Sequence, residues 1–383
     1  MPLIKLQADR LFNGYRFVEN HVLILRDNDV VEAIVPAHEV GEGVEKIEGL
    51  LVPGFINCHC HLELSHLKNT IEPGKGLVNF LMAVIDARKK VFQGKDEAIK
   101  AATEELYKNG TAGVADICNT TDALTGKTTG AILWHNLVEV LNLSDETLES
   151  RLQHFNTIRV AHRKAGLPAV LAPHAPYSIS GATFKAINEA TTGAIISIHN
   201  QETPAEDVLF KTGSGDFLKL YDMIGYTASP LPVSGKSSLQ TWLPNFTNGQ
   251  TILLVHNTFT GEDDICFAKA HASKYGLTLL YCLCPNANLY VEDSLPPVDL
   301  LMKHNCAVVL GTDSLSSNRQ LSIWSEIQTI RKYFPHLSFE MILKWATANG
   351  ANALRWHSLG TFEKGKKPGV ILIKEDLSIT RLI

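Results

Sequence analysis

Residues 51–63 read LVPGFINCHCHLE, and this stretch decides the fold because an apolar strand runs directly into two histidines. His59 and His61 are alternate residues, and alternate residues of a strand point to the same side of a sheet, so both imidazoles can face one ion. A lone histidine in such a place is more often a core or loop residue. The pair therefore predicts a metal site only if other strands bring further ligands to the same end.

Seven further apolar strands follow this one, and stretches with helical periodicity lie between them. The predicted strands occupy residues 51–61, 111–118, 131–141, 168–177, 194–202, 251–257, 277–285 and 306–313. The clearest helical stretches occupy residues 96–110, 145–166, 180–192 and 261–276. Eight buried strands that alternate with helices are typical of a (β/α)8 barrel, a fold of the α/β class. The stretch 203–250 is too long for a simple connection and is expected to form a lid or pocket wall.

Both ends of the chain differ from this middle. Residues 1–51 and 359–383 contain short strand-like runs, such as GVILIKEDLSITRLI at 369–383, separated by turn residues. We therefore predict that the two termini together build a small β-sandwich domain. The barrel, residues 52–358, is then the catalytic domain.

The carboxyl ends of the predicted strands carry the polar residues that could perform chemistry, as they do in barrel enzymes. Strand five ends in His199, and Glu202 follows in the loop. Strand six ends in His256, and strand eight ends in Asp313. Imidazoles and a carboxylate, with one position open for water, suit a catalytic Zn²⁺, while Fe²⁺ or Mn²⁺ accept the same ligands. These strand ends together predict a metal-dependent hydrolytic centre.

Four motifs resemble the amidohydrolase superfamily, in particular its branch of cytosine, guanine and adenosine-type deaminases and chlorohydrolases. They are PGFINCHCHLE (53–63), IHNQE (198–202), LVHN (254–257) and LGTDSLSSN (310–318). The resemblance covers nearly the whole chain and implies that one divalent metal is held by His59, His61, His199 and Asp313. It also implies that Glu202 transfers protons and that His256 stabilises developing charge. In such a site Asp313 is both a ligand and a base.

One departure from the wider superfamily concerns the number of metal ions. Binuclear members carry a carbamylated lysine at the end of strand four, whereas this chain reads LAPHAPYS there, with His174 in that neighbourhood. The resemblance therefore implies a site for a single metal. Ser314 and Ser316 follow Asp313 closely and are expected to orient it.

Three residues are predicted to contact the substrate, each with a structural alternative. His174 resembles the part of this branch that contacts the heterocycle or sugar, and a supporting hydrogen bond is an equal alternative. Glu63 belongs to an HLE variant shared with aminodeoxyfutalosine deaminase-like members, and it is expected to bind a ribose hydroxyl or to act as an N-terminal helix charge. Asn288, in CPNANLY, contacts the substrate or supports its loop.

The resemblance implies an aminohydrolase that removes an exocyclic amine from a purine-type nucleoside or nucleobase. The HLE variant favours 6-aminodeoxyfutalosine, followed by S-adenosylhomocysteine or adenosine. The chain contains neither a GxxxxGK loop completed by Ser or Thr nor a GxGxxG turn after a strand, which disfavours a nucleotide phosphate or dinucleotide. The alternatives are a chlorohydrolase or cyclic-amide hydrolase on the same scaffold, and a non-catalytic scaffold protein, which would have lost its ligand set.

The composition of the chain limits the classes of protein to which it can belong. The chain has 383 residues, of which 45% are hydrophobic and 20% charged, as in ordinary globular proteins. A net charge of -5 argues against a general nucleic-acid binder. No apolar run approaches the roughly 18 residues that span a bilayer, and the N-terminus lacks a signal pattern, so a cytoplasmic location without membrane contact is expected. Nothing in these residues argues for or against a homodimer.

Overall fold

A computed structural model describes residues 3–27, 29–90, 92–128 and 130–383 of the chain. Its N-terminal part consists of strands that bury one group of apolar side chains, among them the alternate residues Leu23 and Leu25. These strands are β1 (Leu3–Phe12), β2 (Phe17–Val18), β3 (His21–Arg26), β4 (Val30–Pro36) and β5 (Glu45–Pro53).

Eight parallel strands form the middle of the molecule, and each coincides with one of the predicted strands. They are β6 (Phe55–Cys60), β7 (Thr111–Cys118), β8 (Leu133–Val140), β9 (Ala169–Pro173), β10 (Ile195–Asn200), β11 (Thr251–His256), β12 (Thr278–Leu283) and β13 (Val308–Leu310). Strands β6 to β9 form one four-stranded parallel sheet, and β10 to β13 form another. The strands are apolar along most of their length because both faces of such sheets are covered.

The two four-stranded sheets contact each other at both edges. Between β9 and β10, the backbone N–H of His199 donates to the carbonyl oxygen of His174 at 2.9 Å. Between β13 and β6, the N–H groups of Thr312 and Asp313 donate to the carbonyl oxygen of His59 at 2.9 and 3.0 Å. The predicted α/β class with parallel strands is confirmed, and these edge contacts are the ones that a closed barrel requires.

Helices connect the strands, and α2, α4, α5 and α9 coincide with the four predicted helical stretches. The helices are α1 (Leu77–Arg88), α2 (Lys95–Lys108), α3 (Leu124–Thr128), α4 (Leu148–Lys164), α5 (Gly181–Ala190), α6 (Pro204–Thr212), α7 (Phe217–Met223), α8 (Ser238–Trp242), α9 (Glu262–Tyr275), α10 (Pro285–Glu292), α11 (Val298–Lys303), α12 (Ile323–Tyr333), α13 (Phe339–Lys344) and α14 (Gly350–Ala353). Local sequence sets several starts. For example, the side chain of Ser180 accepts the N–H of Thr183 at the first turn of α5.

The C-terminal strands β14 (Val370–Ile373) and β15 (Ile379–Arg381) return to the N-terminal ones. One seven-stranded sheet results, in the order β15-β14-β5-β1-β3-β4, with β2 paired to β1. This pairing joins both termini, as the predicted terminal domain requires. At its junction with the middle, a Cβ on Gly54 would lie 2.4 Å from the carbonyl oxygen of Pro368, so only glycine fits. In the described residues, no helix has the length and apolar character needed to cross a membrane.

Candidate active site

Three imidazoles and a carboxylate converge at the carboxyl ends of β6, β10 and β13. Nε2 of His61 lies 3.1 Å from Nε2 of His59 and 3.3 Å from Nε2 of His199. Oδ1 of Asp313 lies 3.2 Å from Nε2 of His59 and 3.3 Å from Nε2 of His61. All four side chains are buried. We call them the His–Asp cluster.

The spacing of the His–Asp cluster fits a small divalent metal. Atoms bound tetrahedrally at about 2.0–2.1 Å from zinc lie about 3.3 Å from one another, close to the distances observed here. Nitrogen lone pairs that point at each other repel unless a proton or cation lies between them. The donor types and their distances therefore fit a metal-binding centre.

The ionisation of these groups also suits metal binding. Burial lowers the pKa of the imidazoles of His59, His61 and His199, which keeps them neutral with free lone pairs. Burial acts to raise the pKa of the Asp313 carboxyl, but its hydrogen bond with His59 and the other nearby imidazoles hold that pKa well below its usual range. Three neutral nitrogens and one carboxylate result.

Further hydrogen bonds orient two members of the cluster. Nδ1 of His199 donates to the carbonyl oxygen of His174 at 2.8 Å, so Nε2 is the nitrogen left with a lone pair. The hydroxyl of Ser317 donates to Oδ2 of Asp313. Ser314 and Ser316, which were expected to do this, lie 2.6 Å from each other through their hydroxyls instead. The role of Ser317 was missed, although it lies in the same LGTDSLSSN motif.

The backbone turns sharply where these strands end. Asp313, His256 and Gln201 all adopt positive φ values, of 59°, 75° and 46°. This left-handed conformation costs a residue other than glycine about 1–2 kcal/mol. Such conformations persist where the surrounding structure holds them, and they are concentrated at functional sites. Here they redirect the chain at three strand ends that border the His–Asp cluster.

Asn288 fixes the proton of His256 on one nitrogen. Its amide nitrogen, which can only donate, lies 3.3 Å from Nδ1 of His256 and 2.6 Å from the hydroxyl of Thr258. Nδ1 is therefore the acceptor, and Nε2 carries the proton. Nε2 is buried, has no hydrogen-bond partner among the described residues and lies 3.6 Å from Oε1 of Glu202. Asn288 thus lies behind His256, which matches the supporting alternative.

Glu202 is a buried acid beside the cluster. Burial, together with the nearby carboxylate of Asp313, raises the pKa of Glu202 well above its usual range, which favours its protonated form. Glu206 positions it, because Oε1 of Glu206 accepts the backbone N–H of Glu202 at 2.8 Å and Oε2 accepts that of Gln201 at 3.2 Å. The importance of Glu206 was missed, and its only signal is its place four residues after Glu202.

A cavity of about 490 Å³ opens over the cluster, a size that suits a small organic ligand. Its polar floor includes His174, Glu202 and Glu139. Its outer wall is apolar and is contributed mainly by α1 and α7, through Leu77, Phe80, Leu81, Val84, Ile85, Leu220, Tyr221 and Ile224. Because α7 belongs to the stretch 203–250, that stretch supplies part of the pocket wall.

Glu63 does not lie in this cavity wall. Its carboxylate accepts hydrogen bonds from Arg88 at 2.9 Å, from the N–H of Asn119 at 3.0 Å, and from both the N–H and the hydroxyl of Thr120 at 2.9 Å. Three of these donors share Oε2 and Arg88 binds Oε1, so the carboxylate is engaged by protein groups outside the cavity wall, where the predicted contact with a ribose hydroxyl would have to form. Glu63 instead holds the loop after β7.

Glu139, at the end of β8, was not predicted to belong to the site. It is 3% exposed, and one of its carboxyl oxygens lies 3.5 Å from Nδ1 of His199. The other accepts a hydrogen bond from the amide of Asn119 at 3.1 Å. Its signal is an acidic residue near the carboxyl end of a predicted apolar strand, in HNLVEVL at 135–141, and it was overlooked.

Comparison with known proteins identifies the family of this chain. The sequence model of the Amidohydrolase family matches residues 50–382. The chain is 26% identical over 357 residues to the aminodeoxyfutalosine deaminase of Nitratiruptor sp., covering 90% of this chain and 84% of that protein. It is 25% identical over 366 residues to the 5-methylthioadenosine/S-adenosylhomocysteine deaminase of Thermoanaerobacter pseudethanolicus, covering 90% and 77%. The crystal structure of Helicobacter pylori aminofutalosine deaminase in complex with methylthio-coformycin matches with a TM-score of 0.81 at 21% identity, covering 97% and 92%.

Proposed function

Because the chain belongs to the amidohydrolase family, we propose that it is a metal-dependent aminohydrolase that removes an exocyclic amine from a purine-type nucleoside or nucleobase. The observation that carries this proposal is the convergence of three buried imidazoles and Asp313 beside the buried carboxyl of Glu202. The relatives named as deaminases of aminodeoxyfutalosine and of 5-methylthioadenosine or S-adenosylhomocysteine support the purine-nucleoside class. We place 6-aminodeoxyfutalosine first and S-adenosylhomocysteine or adenosine second.

For the fold, we propose that residues 52–358 form a closed (β/α)8 barrel and that residues 1–51 and 359–383 form a separate small β-sandwich domain. The hydrogen bonds at both edges of the two parallel sheets support the closure. The sheet shared by both termini supports the second domain.

In this proposal a single divalent metal, Zn²⁺ before Fe²⁺ or Mn²⁺, is held by His59, His61, His199 and Asp313. When bound, such an ion lowers the pKa of a coordinated water toward about 7 and so provides a hydroxide nucleophile. The low pKa of Asp313 keeps its carboxylate ionised, so that its oxygens can ligate the ion and accept a proton from the attacking water. A single ion is proposed because the end of β9 provides His174 instead of a lysine.

The remaining proton transfers fall to groups beside the cluster. Glu202 donates its proton to the ring nitrogen next to the carbon under attack, which neutralises charge as the tetrahedral intermediate forms. The Nε2–H of His256 faces the same region and stabilises the developing oxygen charge. The proton that Asp313 accepted passes to the exocyclic amine, which leaves as ammonia, and the hydroxyl proton of the intermediate returns to Glu202 as the carbonyl forms. Asn288 maintains this arrangement by occupying Nδ1 of His256.

The test is a coupled ammonia assay of the metal-loaded enzyme with 6-aminodeoxyfutalosine, S-adenosylhomocysteine, 5-methylthioadenosine, adenosine and adenine. We expect ammonia release from at least one purine nucleoside, and we expect chelation to abolish it. A chlorinated triazine and a cyclic amide are tested in the same way, as substrates of the two alternative hydrolases. Release of chloride or ring opening without any ammonia from the purines would refute the aminohydrolase proposal, as would full activity after metal removal.

A further inference from the structure

We infer that Glu139 is a specificity-determining residue whose second carboxyl oxygen accepts a hydrogen bond from a hydroxyl or N–H group of the substrate. The inference rests on the proposed aminohydrolase function. It starts from Oε1 of Glu139, which is buried, has no hydrogen-bond partner among the described residues and belongs to a side chain that lines the cavity. A buried acceptor without a partner is costly, so natural sites rarely keep one unless a ligand satisfies it.

The other oxygen of Glu139 is already anchored. Oε2 accepts the amide of Asn119 at 3.1 Å, and Oδ1 of Asn119 in turn accepts from Arg88 at 3.3 Å. The N–H of Asn119 donates to Glu63, which also binds Arg88. This network holds the Glu139 side chain in one position and pairs Arg88 with Glu63. Oε1 therefore remains a buried acceptor, held in one position on a side chain that lines the cavity.

His199 does not satisfy this oxygen. Its Nδ1 carries one proton and donates it to the carbonyl oxygen of His174 at 2.8 Å, a shorter and better-formed contact than the 3.5 Å to Glu139. The same argument excludes a second metal ion between Glu139 and Nδ1 of His199, because that nitrogen has no free lone pair. A donor on the substrate is the partner that remains.

The position of Glu139 favours a sugar hydroxyl over a group on the reacting ring. Glu139 lies at the end of β8 near Nδ1 of His199, whereas Glu202 follows β10 and lies beside His256. The two carboxyl groups therefore face different parts of a bound nucleoside. If Glu202 protonates the ring, Glu139 is placed to recognise the group attached to it. A ring N–H of the substrate is the other donor that could bind Oε1 of Glu139.

The test measures kcat and KM of wild type, Glu139→Ala and Glu139→Gln with adenosine, 2′-deoxyadenosine, 3′-deoxyadenosine and adenine. For wild type we expect about 10-fold to 100-fold higher kcat/KM for the nucleoside that retains the recognised hydroxyl, from the cost of leaving a buried polar group unpaired. Glu139→Ala should abolish this preference, mainly through a higher KM for the hydroxylated substrate. Glu139→Gln keeps a carbonyl acceptor and should therefore retain part of the substrate preference. If Glu139→Ala changes kcat/KM for adenine alone, the donor is a ring N–H of the substrate.

Controls separate recognition from damage to the metal centre. Glu146→Ala removes an exposed carboxylate in the connection between β8 and α4. It should change neither the substrate preference nor the metal content. Metal analysis of the Glu139 variants should match wild type. Equal losses on all substrates, loss of metal, or an unchanged preference in Glu139→Ala would each overturn the inference.

Binding measurements keep the inference testable if the proposed reaction fails. Calorimetric titration of the chelated protein with adenosine and the two deoxynucleosides should give the same order of Kd values, and Glu139→Ala should equalise them. Absence of ammonia release with this binding pattern intact would refute the proposed function alone. Equal Kd values for all three nucleosides in wild type would refute the role of Glu139.

Discussion

At the scale of single residues, the proton on Glu202 is what distinguishes a deamination site from a mere metal-binding cleft. Replacement of Glu202 by glutamine keeps the shape of the side chain but removes the transferable proton. We expect kcat to fall by about 10²-fold to 10⁴-fold, the usual contribution of a general acid, with little change in KM. Steady-state kinetics of metal-loaded protein with the best substrate measure this effect.

The metal content of Glu202→Gln and the kcat of a surface variant serve as controls. Glu202→Gln should retain its metal because Glu202 is outside the His–Asp cluster, and Glu189→Gln, at an exposed position, should keep wild-type kcat. A Glu202→Gln enzyme with kcat within about threefold of wild type would show that another group supplies the proton.

Residues on strand ends were predictable, but their partners were not. The His–Asp cluster follows from period-two alternation and from the rule that barrel strands present chemistry at their carboxyl ends. Ser317 and Glu206 act through contacts whose geometry depends on tight turns, which a sequence pattern does not specify. Glu63 was expected, from its HLE variant, to bind a ribose hydroxyl or to act as a helix charge. Its donors, Arg88 and the 119–120 loop, come from elements distant in sequence, so no local pattern reveals them.

At the scale of elements, a buried ion pair ties β7 to α3 below the first strand's histidines. Nζ of Lys127 lies 2.5 Å from Oδ2 of Asp116, both side chains are fully buried, and Oδ1 of Asp116 accepts the N–H of Leu62 next to His61. Lys127→Ala would leave the Asp116 carboxylate without its buried partner. We expect the free energy of unfolding to fall by about 3–5 kcal/mol.

Urea unfolding of metal-loaded protein, followed by circular dichroism, measures this loss. Lys211→Ala is the matched control, since Lys211 forms an exposed pair with Asp207 at 2.8 Å that should contribute about 0–1 kcal/mol. Equal destabilisation by both substitutions would contradict a special role for the buried pair.

The order and approximate limits of the barrel strands were predictable because buried parallel strands are continuous apolar runs. Strand β13 is shorter than predicted, since it ends at Leu310 and only a single bridge pairs Asp313 with Cys60. The terminal strands were recognisable, but their order in the sheet was not, because β14 pairs with β5 across more than 300 residues of chain and no local signal specifies that pairing.

At the scale of the whole molecule, the buried imidazoles make the metal-free protein sensitive to acid. Burial lowers the pKa of His59, His61, His174, His199 and His256 in the folded state. The unfolded chain therefore binds more protons below the ordinary histidine pKa of about 6.5, and stability is lost as the pH falls through and below that value. Each such proton contributes a slope of up to about 1.4 kcal/mol per pH unit.

Four buried carboxyls act in the opposite sense. Burial raises the pKa of Glu139 and Glu206 to about 7, that of Glu326 to about 8 and that of Glu202 well above its usual range, so they favour the folded state as the pH falls toward the ordinary glutamate pKa. The measurement therefore compares how steeply the free energy of unfolding changes with pH in two proteins. Between pH 7 and 5, the unfolding free energy of chelated His256→Asn should fall less steeply than that of chelated wild type. Identical slopes would contradict a neutral, buried His256.

His59 and Asp313 meet although 254 residues separate them, and the carbonyl oxygen of His59 accepts the N–H groups of both Thr312 and Asp313. The first and last of the eight parallel strands are thus joined at the His–Asp cluster itself. Contacts between such distant segments slow folding, because the loop-closure entropy must be overcome before they form. A folding intermediate in which β13 has not reached β6 lacks Asp313 beside the three imidazoles, so we expect a partly folded chain to be inactive.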